Sequence, residues 1–224
     1  THILNAYQAI VAQGDPDAIP AKLVMEQCVV HNAYDIGILA INSSIAATNC
    51  RITQCGNDGI TGNGGSNIIL SGGGNYHFEH NTIATFANFF QNHRQPVLVI
   101  GNSRGGNTNP LSATFANSII YGEGGLPENE IVVFRTAGPA FSVLMQNVLY
   151  RAKDALQNVT FQDAILNEPP QFDSINTSLR SYNFRLRDTS PAVDAGRATT
   201  LPTDLDGNPR SVGTRPDLGC YERQ

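Results

Sequence analysis

Charge is what this sequence has least of. Only 15% of its 224 residues are charged, against about 25% in an ordinary globular domain. Lysine occurs twice, at Lys22 and Lys153. With a net charge of -5 there is no basic stripe to meet the phosphates of a nucleic acid, which excludes that class of partner. No apolar run approaches the roughly 20 residues of a membrane helix, and no signal peptide is recognisable. Gly-x-Ser-x-Gly, P-loop and CxxC motifs are missing, so hydrolase-elbow, nucleotide and dithiol chemistry have no sequence support. Helical periodicity is missing too. The four cysteines decide nothing about compartment.

What the chain does contain is repetition. "MEQCVV" (25–30), "ATNCRI" (47–52), "FEHNTI" (78–83), "TFANSI" (114–119) and "LMQNVL" (144–149) share an anchor residue, a Cys or Asn three positions on, and an aliphatic residue two further. The central residues Cys28, Cys50, Asn81, Asn117 and Asn147 recur at steps of 22, 31, 36 and 30, the differences of their numbers. A second register places Ala9, Gly37 and Gly59 together, each followed by isoleucine (Ile10, Ile38, Ile60). Each unit is too short to bury its own apolar residues, so units must stack, with parallel strands about 4.8 Å apart and inward columns of side chains. This predicts an all-β parallel β-helix in which Cys28, Cys50, Asn81, Asn117 and Asn147 form one structural ladder at a bend. Asn tolerates left-handed backbone there, and the two cysteines are expected as buried free thiols.

Residues 1–187 are read as coil rungs with lateral loops, the C-terminal part of a longer β-helix. The paired Pro169 and Pro170 mark an excursion, and "YNFRLR" (182–187) is read as a last strand. Residues 188–224, punctuated by Asp, Pro and Gly, are expected to cap the open end of the coil. The chain opens on "THILNAYQAI", already inside a repeat and without Met, from which an upstream stretch carrying the export signal and any membrane anchor is expected.

The ending "SPAVDAG" (190–196), "DLDGNPR" (204–210) and "PDLGCYE" (216–222), with the repeated "NAYQAI" and "HNAYDIGILAINSS", resembles bacterial right-handed parallel β-helix surface proteins of the choice-of-anchor Q type, within the pectin-lyase-like superfamily. Val193, Leu218 and Cys220 depart mildly from the common pattern. The resemblance implies a protein that is extracellular or at the outer-membrane surface. It implies no reaction and carries over no catalytic residues.

"HFEHNTIA" (77–84) brings two histidines and a glutamate together. Phe78 and Ile83 fall at anchor positions, which puts His77 and Glu79 outward and His80 beside the bend. The neighbouring rungs offer Gln27 and Asn49, poor zinc ligands, and no metal site or cofactor is expected. "DLDGNPR" lacks the Gly and Glu of an EF-hand, with Pro209 and Arg215 in their places, so Asp204 and Asp206 are read as turn-holding groups beside Arg210 or Arg215. Glu26, Thr48 and Glu79 should form one outward column and Val29, Arg51 and Thr82 another. His31, Arg51, Glu79 and His80 are the candidate glycan-binding residues. The expected function is a non-catalytic surface module presenting a rigid face to a polysaccharide, a cell-surface glycan or a partner. The alternative is a polysaccharide lyase or glycoside hydrolase, in which Arg51 would neutralise a uronate carboxylate and His31 would take the proton beside it.

Overall fold

The structure, a computed structural model, describes residues 1–56, 65–210 and 212–224. It is a parallel β-helix: three ribbons of stacked parallel strands enclose one elongated apolar core. Among the described residues there are no helices.

The first ribbon stacks Gln8–Gln13, the opening halves of Ile36–Thr48 and Ile68–Glu79, then Leu98–Gly101 and Ile131–Phe134. Its inward column runs Ile10, Ile38, Ile68, Leu98, Ile131. The partner that follows Ile38 is thus Ile68; Gly59 and Ile60 lie outside the described residues. The second ribbon stacks Leu23–Glu26, the closing halves of the same two long strands, the first half of Leu111–Glu123, Phe141–Tyr150 and Thr160–Gln162. Its inward column is Met25, Ala47, Phe78, Phe115, Met145, Phe161. Phe78 and Phe115 lie ring on ring, 4.9 Å apart at 6°. The third ribbon stacks His2–Leu4, Val29–His31, Arg51–Thr53, Thr82–Phe86 and the closing halves of the strands Leu111–Glu123 and Phe141–Tyr150. Ile3, Val30, Ile52, Ile83, Ile120 and Tyr150 point into its core. Alternation along each strand produces these columns: every second residue meets its counterpart above and below and loses its water.

The bend between the second and third ribbons holds a left-handed residue in each of its first five turns: Gln27, Asn49, His80, Asn117 and Asn147, with φ between 48° and 53°. Ladder pairing on either side places these five in one column, at steps of 22, 31, 37 and 30 by subtraction. Cys28, Cys50, Asn81, Ser118 and Val148 form the next column inward. The expected single ladder is therefore two adjacent columns: Asn117 and Asn147 belong to the first, Cys28, Cys50 and Asn81 to the second. Asn81 is buried and bridges turns through backbone groups, donating to the Ala47 carbonyl at 2.9 Å and accepting from the Cys50 N–H at 2.8 Å. All four cysteines are free thiols, and burial pushes Cys50 up to about 12.

"YNFRLR" does not continue the coil. Ser181–Leu186 pairs antiparallel with Phe172–Asn176, and the hairpin lies on the outside of the third ribbon. The reason is a second apolar layer. Ala84, Ile119 and Leu149 point outward from that ribbon and need cover, which Phe172, Phe184, Leu186, Leu218 and Cys220 supply.

The described residues of 190–222 continue this cover, and the stretch 195–204 runs back across the turns. Asn147 donates to the Ala195 carbonyl, Asn117 to that of Arg197, and Thr199 to Glu79. Asn49 then donates to the Thr203 carbonyl and Gln27 to that of Asp204. The segment expected at the coil's end thus lies alongside it, while Leu166 of the last turn stays 49% exposed.

Candidate functional site

The four residues singled out in the sequence sit in one region, but the tail covers most of it. His80 is fully buried, its Nε2 2.9 Å from Asn117 Nδ2. Burial and the nearby Arg210 guanidinium push its pKa down to about 3. His77 beside Glu79, and then Thr199, which donates one hydrogen bond to it at 3.0 Å, bring its carboxyl down to about 2. Arg51 donates to the Tyr221 hydroxyl at 3.0 Å and lies over the Phe184 ring at 5.6 Å. These three groups hold the tail; none of them faces an open groove. The outward columns Glu26, Thr48, Glu79 and Val29, Arg51, Thr82 do stack as the repeat implies.

His31 is different. It opens into a polar cleft of about 250 Å³. The floor comes from a second left-handed corner, at the end of the third ribbon, where Asn5, Asn32 and Gln54 have φ of 57°, 60° and 56°. Here there is a true amide ladder: Asn32 Nδ2 donates to Asn5 Oδ1 at 2.6 Å. Below it Tyr7 and Tyr34 stack at 5.8 Å. The repeated text "NAY" at Asn5 and Asn32 was the sequence signal for this corner.

Two further elements close the cleft. The hairpin contributes Tyr182 and, at its turn, Arg180. The 87–97 loop contributes Asn88 and Gln91. Asn88 shapes that loop by accepting from the N–H groups of Phe90 and Gln91 through Oδ1, while its Nδ2 donates to the Tyr182 hydroxyl at 2.9 Å. Gln91 is buried, donating to the Cys55 carbonyl and accepting from Gln54. The far end of the loop is pinned by Glu130, fully buried, which lies 2.9 Å from His93 Nε2 and accepts from Arg151 and from the Val97 N–H. A buried carboxylate with this many donors holds its loop firmly.

Between these anchors Phe89 and Phe90 project outward, 92% and 58% exposed, edge to face at 5.2 Å. Arg180 lies over the Phe90 ring at 5.3 Å. His31 Nδ1 is 2.9 Å from the Thr53 hydroxyl, and its ring meets Tyr182 edge-on at 5.9 Å. Burial, with Arg51 and Arg180 nearby, lowers its pKa to about 4, so it is neutral at pH 7. The cleft thus combines amide donors and acceptors, a phenol, a neutral imidazole and one guanidinium, which the Phe90 ring meets from outside the lining. No carboxylate is among the described residues that line it.

In "DLDGNPR", Asp204 is fully buried and accepts from the N–H groups of Asp206, Asn208 and Glu222, the turn-holding role expected of it. Arg210, also fully buried, donates to Asn49 and to Glu222.

No protein-family model matches this chain, and no curated protein sequence matches it. Three solved chains do. One is the crystal structure of pectate lyase Pel9A, 13% identical, with a TM-score of 0.36, the match covering 100% of this chain and 70% of that one.

Proposed function

We propose that the chain is an exported β-helix surface module of the choice-of-anchor Q type, and that its His31 cleft binds glycan without turning it over. The observation that carries this reading is Phe89, a large aromatic side chain held 92% exposed on a loop anchored by buried hydrogen bonds. A rigid exposed aromatic patch marks an interaction surface. The amides of Asn5 and Asn32, which line the cleft together with Asn88 and Gln91 of that loop, offer both donors and acceptors, the pattern that sugar hydroxyls complement.

Hydrolysis of a glycosidic bond ordinarily uses two carboxylates flanking the bond, and the described lining offers none. Elimination needs a base matched to the working pH; His31, lowered to about 4, is a weak one. A glycan array identifies ligands, and mass spectrometry of the incubated ligand reports turnover. Binding without new products is expected, and Phe89→Ala with Phe90→Ala should weaken it at least about tenfold, a loss on the scale of a buried aromatic anchor, with an unchanged melting temperature. Unsaturated or shortened products would overturn the non-catalytic reading. An array with no ligand would overturn the glycan reading.

A further inference from the structure

We infer that the outer side of the first ribbon is an interface on which a second copy of this chain docks. The inference is independent of the His31 cleft.

The three ribbons differ in what their outward side chains meet. The second presents Asn75, Ser112 and Ser142 in one column, polar and exposed. The third is apolar, and the hairpin and tail cover it. The first is apolar as well: its outward column runs Val11, Leu39, Ile69, Val99, Val132, with Phe134 beside the last. Among the described residues the apolar clusters are the core and the layer over the third ribbon, and none of these six side chains belongs to either. Ile69, Val99 and Val132 are half-buried, while Val11 and Phe134, at opposite ends of the strip, are 52% and 63% exposed. An apolar strip left without cover marks an interaction surface.

The chemistry of the strip selects its occupant. None of the stretches Gln8–Gln13, 36–41, 68–71, Leu98–Gly101 and Ile131–Phe134 contains a charged residue. A charged partner surface would lose its hydration there without compensation. An anionic membrane is a poor match too, because the two lysines, Lys22 and Lys153, lie outside these strands and the chain carries -5. A second copy offers the same uncharged strip, and a two-fold axis brings like onto like. With that axis across the strip, each Phe134 falls at the Val11 end of the other copy, so the most exposed side chains cover each other.

Size sets the strength. Five strands about 4.8 Å apart, each with about four residues rising about 3.3 Å, give roughly 300 Å² in projection. A standard interface takes about 800 Å² from each partner, so this dimer is a weak one, formed at micromolar concentrations or above.

Sedimentation velocity on the full chain, from about 1 to about 300 µM, should show a monomer–dimer equilibrium that stops at two. Raising salt from about 0.05 to about 0.5 M should tighten it, since the copies carry -5 each and the strip itself is uncharged. Val99→Glu sets like charges into the contact and should weaken the dimer at least about tenfold. Phe134→Ser, at an exposed site, should weaken it too while keeping the melting temperature, and it decides the matter if the first variant fails to fold. Leu166→Ser, at the coil's open end, should leave the dimer unchanged. A chain that is monomeric at every concentration, or a dimer that survives both strip variants or is lost in Leu166→Ser, overturns the proposal. So does an open series of larger species, or binding to phosphatidylserine vesicles in place of dimerisation.

Discussion

At the second-ribbon bend the backbone is left-handed in every turn, and the residues there differ in what they can do with that geometry. Asn49, Asn117 and Asn147 adopt it readily. His80 adopts it as well, but brings a titratable ring into a fully buried place. Its pKa falls to about 3 in the fold, against 6.5 when free. A lowered histidine pKa means that the unfolded chain binds the proton first, so stability declines as pH falls from 6.5 through 3. Over that span the loss is on the order of 4 kcal/mol. His31, lowered to about 4, adds to the decline between 6.5 and 4, and Glu79, lowered to about 2, adds below 4.5. His80→Asn should therefore flatten the acid limb while keeping the bend. Urea unfolding at stepped pH measures it, and an unchanged slope between pH 6 and 3 would count against the buried-histidine account. The same column explains a misreading in the sequence. Asn serves both the bend and the position after it, so matching Asn81 to Asn117 is off by one. Ladder pairing instead sets His80 against Asn117 and Ser118 against Asn81.

At the scale of elements, the stacked strands were legible because inward columns need an aliphatic or aromatic residue at every turn, and such runs recur visibly. The covering layer was not. "YNFRLR" alternates like any strand, and nothing in it distinguishes a coil rung from a hairpin laid on the coil's exterior. What decides is the outward side of the third ribbon: Ala84, Ile119 and Leu149 are apolar on the face that in a bare coil would be wet. Removing residues 189–224 should expose part of that face and strip Asn49 and Asn117 of their tail partners. A loss of about 5 kcal/mol is expected from apolar burial and unsatisfied amides together. Calorimetry should show a melting temperature lower by roughly 10–20 °C, with self-association of the exposed sheet. A soluble monomer melting at the original temperature would make the tail a mere appendage.

On the scale of the whole molecule, a simple solenoid is nearly one-dimensional: each turn feels only its neighbours, and an end turn frays alone. This chain is not so simple, because its tail touches five successive bends in reverse order. Amide exchange should then be nearly as slow at Val30 in an early turn as at Ile120, and at least about tenfold faster at Val30 once the tail is removed. Equal rates before and after would mean that the tail binds without coupling the turns. The cleft itself was the least legible part of the molecule. It is assembled from Asn5, His31, Asn88 and Arg180; the corner repeat marks Asn5, the outward columns point to His31, and nothing in the sequence marks Asn88 or Arg180.

Synthesis gives the reversed tail a consequence in time. Gln27 waits for the carbonyl of Asp204, 177 residues later in the chain. At about 5–20 residues per second that is roughly 10–35 s of elongation. Throughout that interval the turns already made carry no fastening across them. The segment that fastens the turns is made after all of them, so a copy interrupted before residue 195 keeps the same coil and lacks its lock.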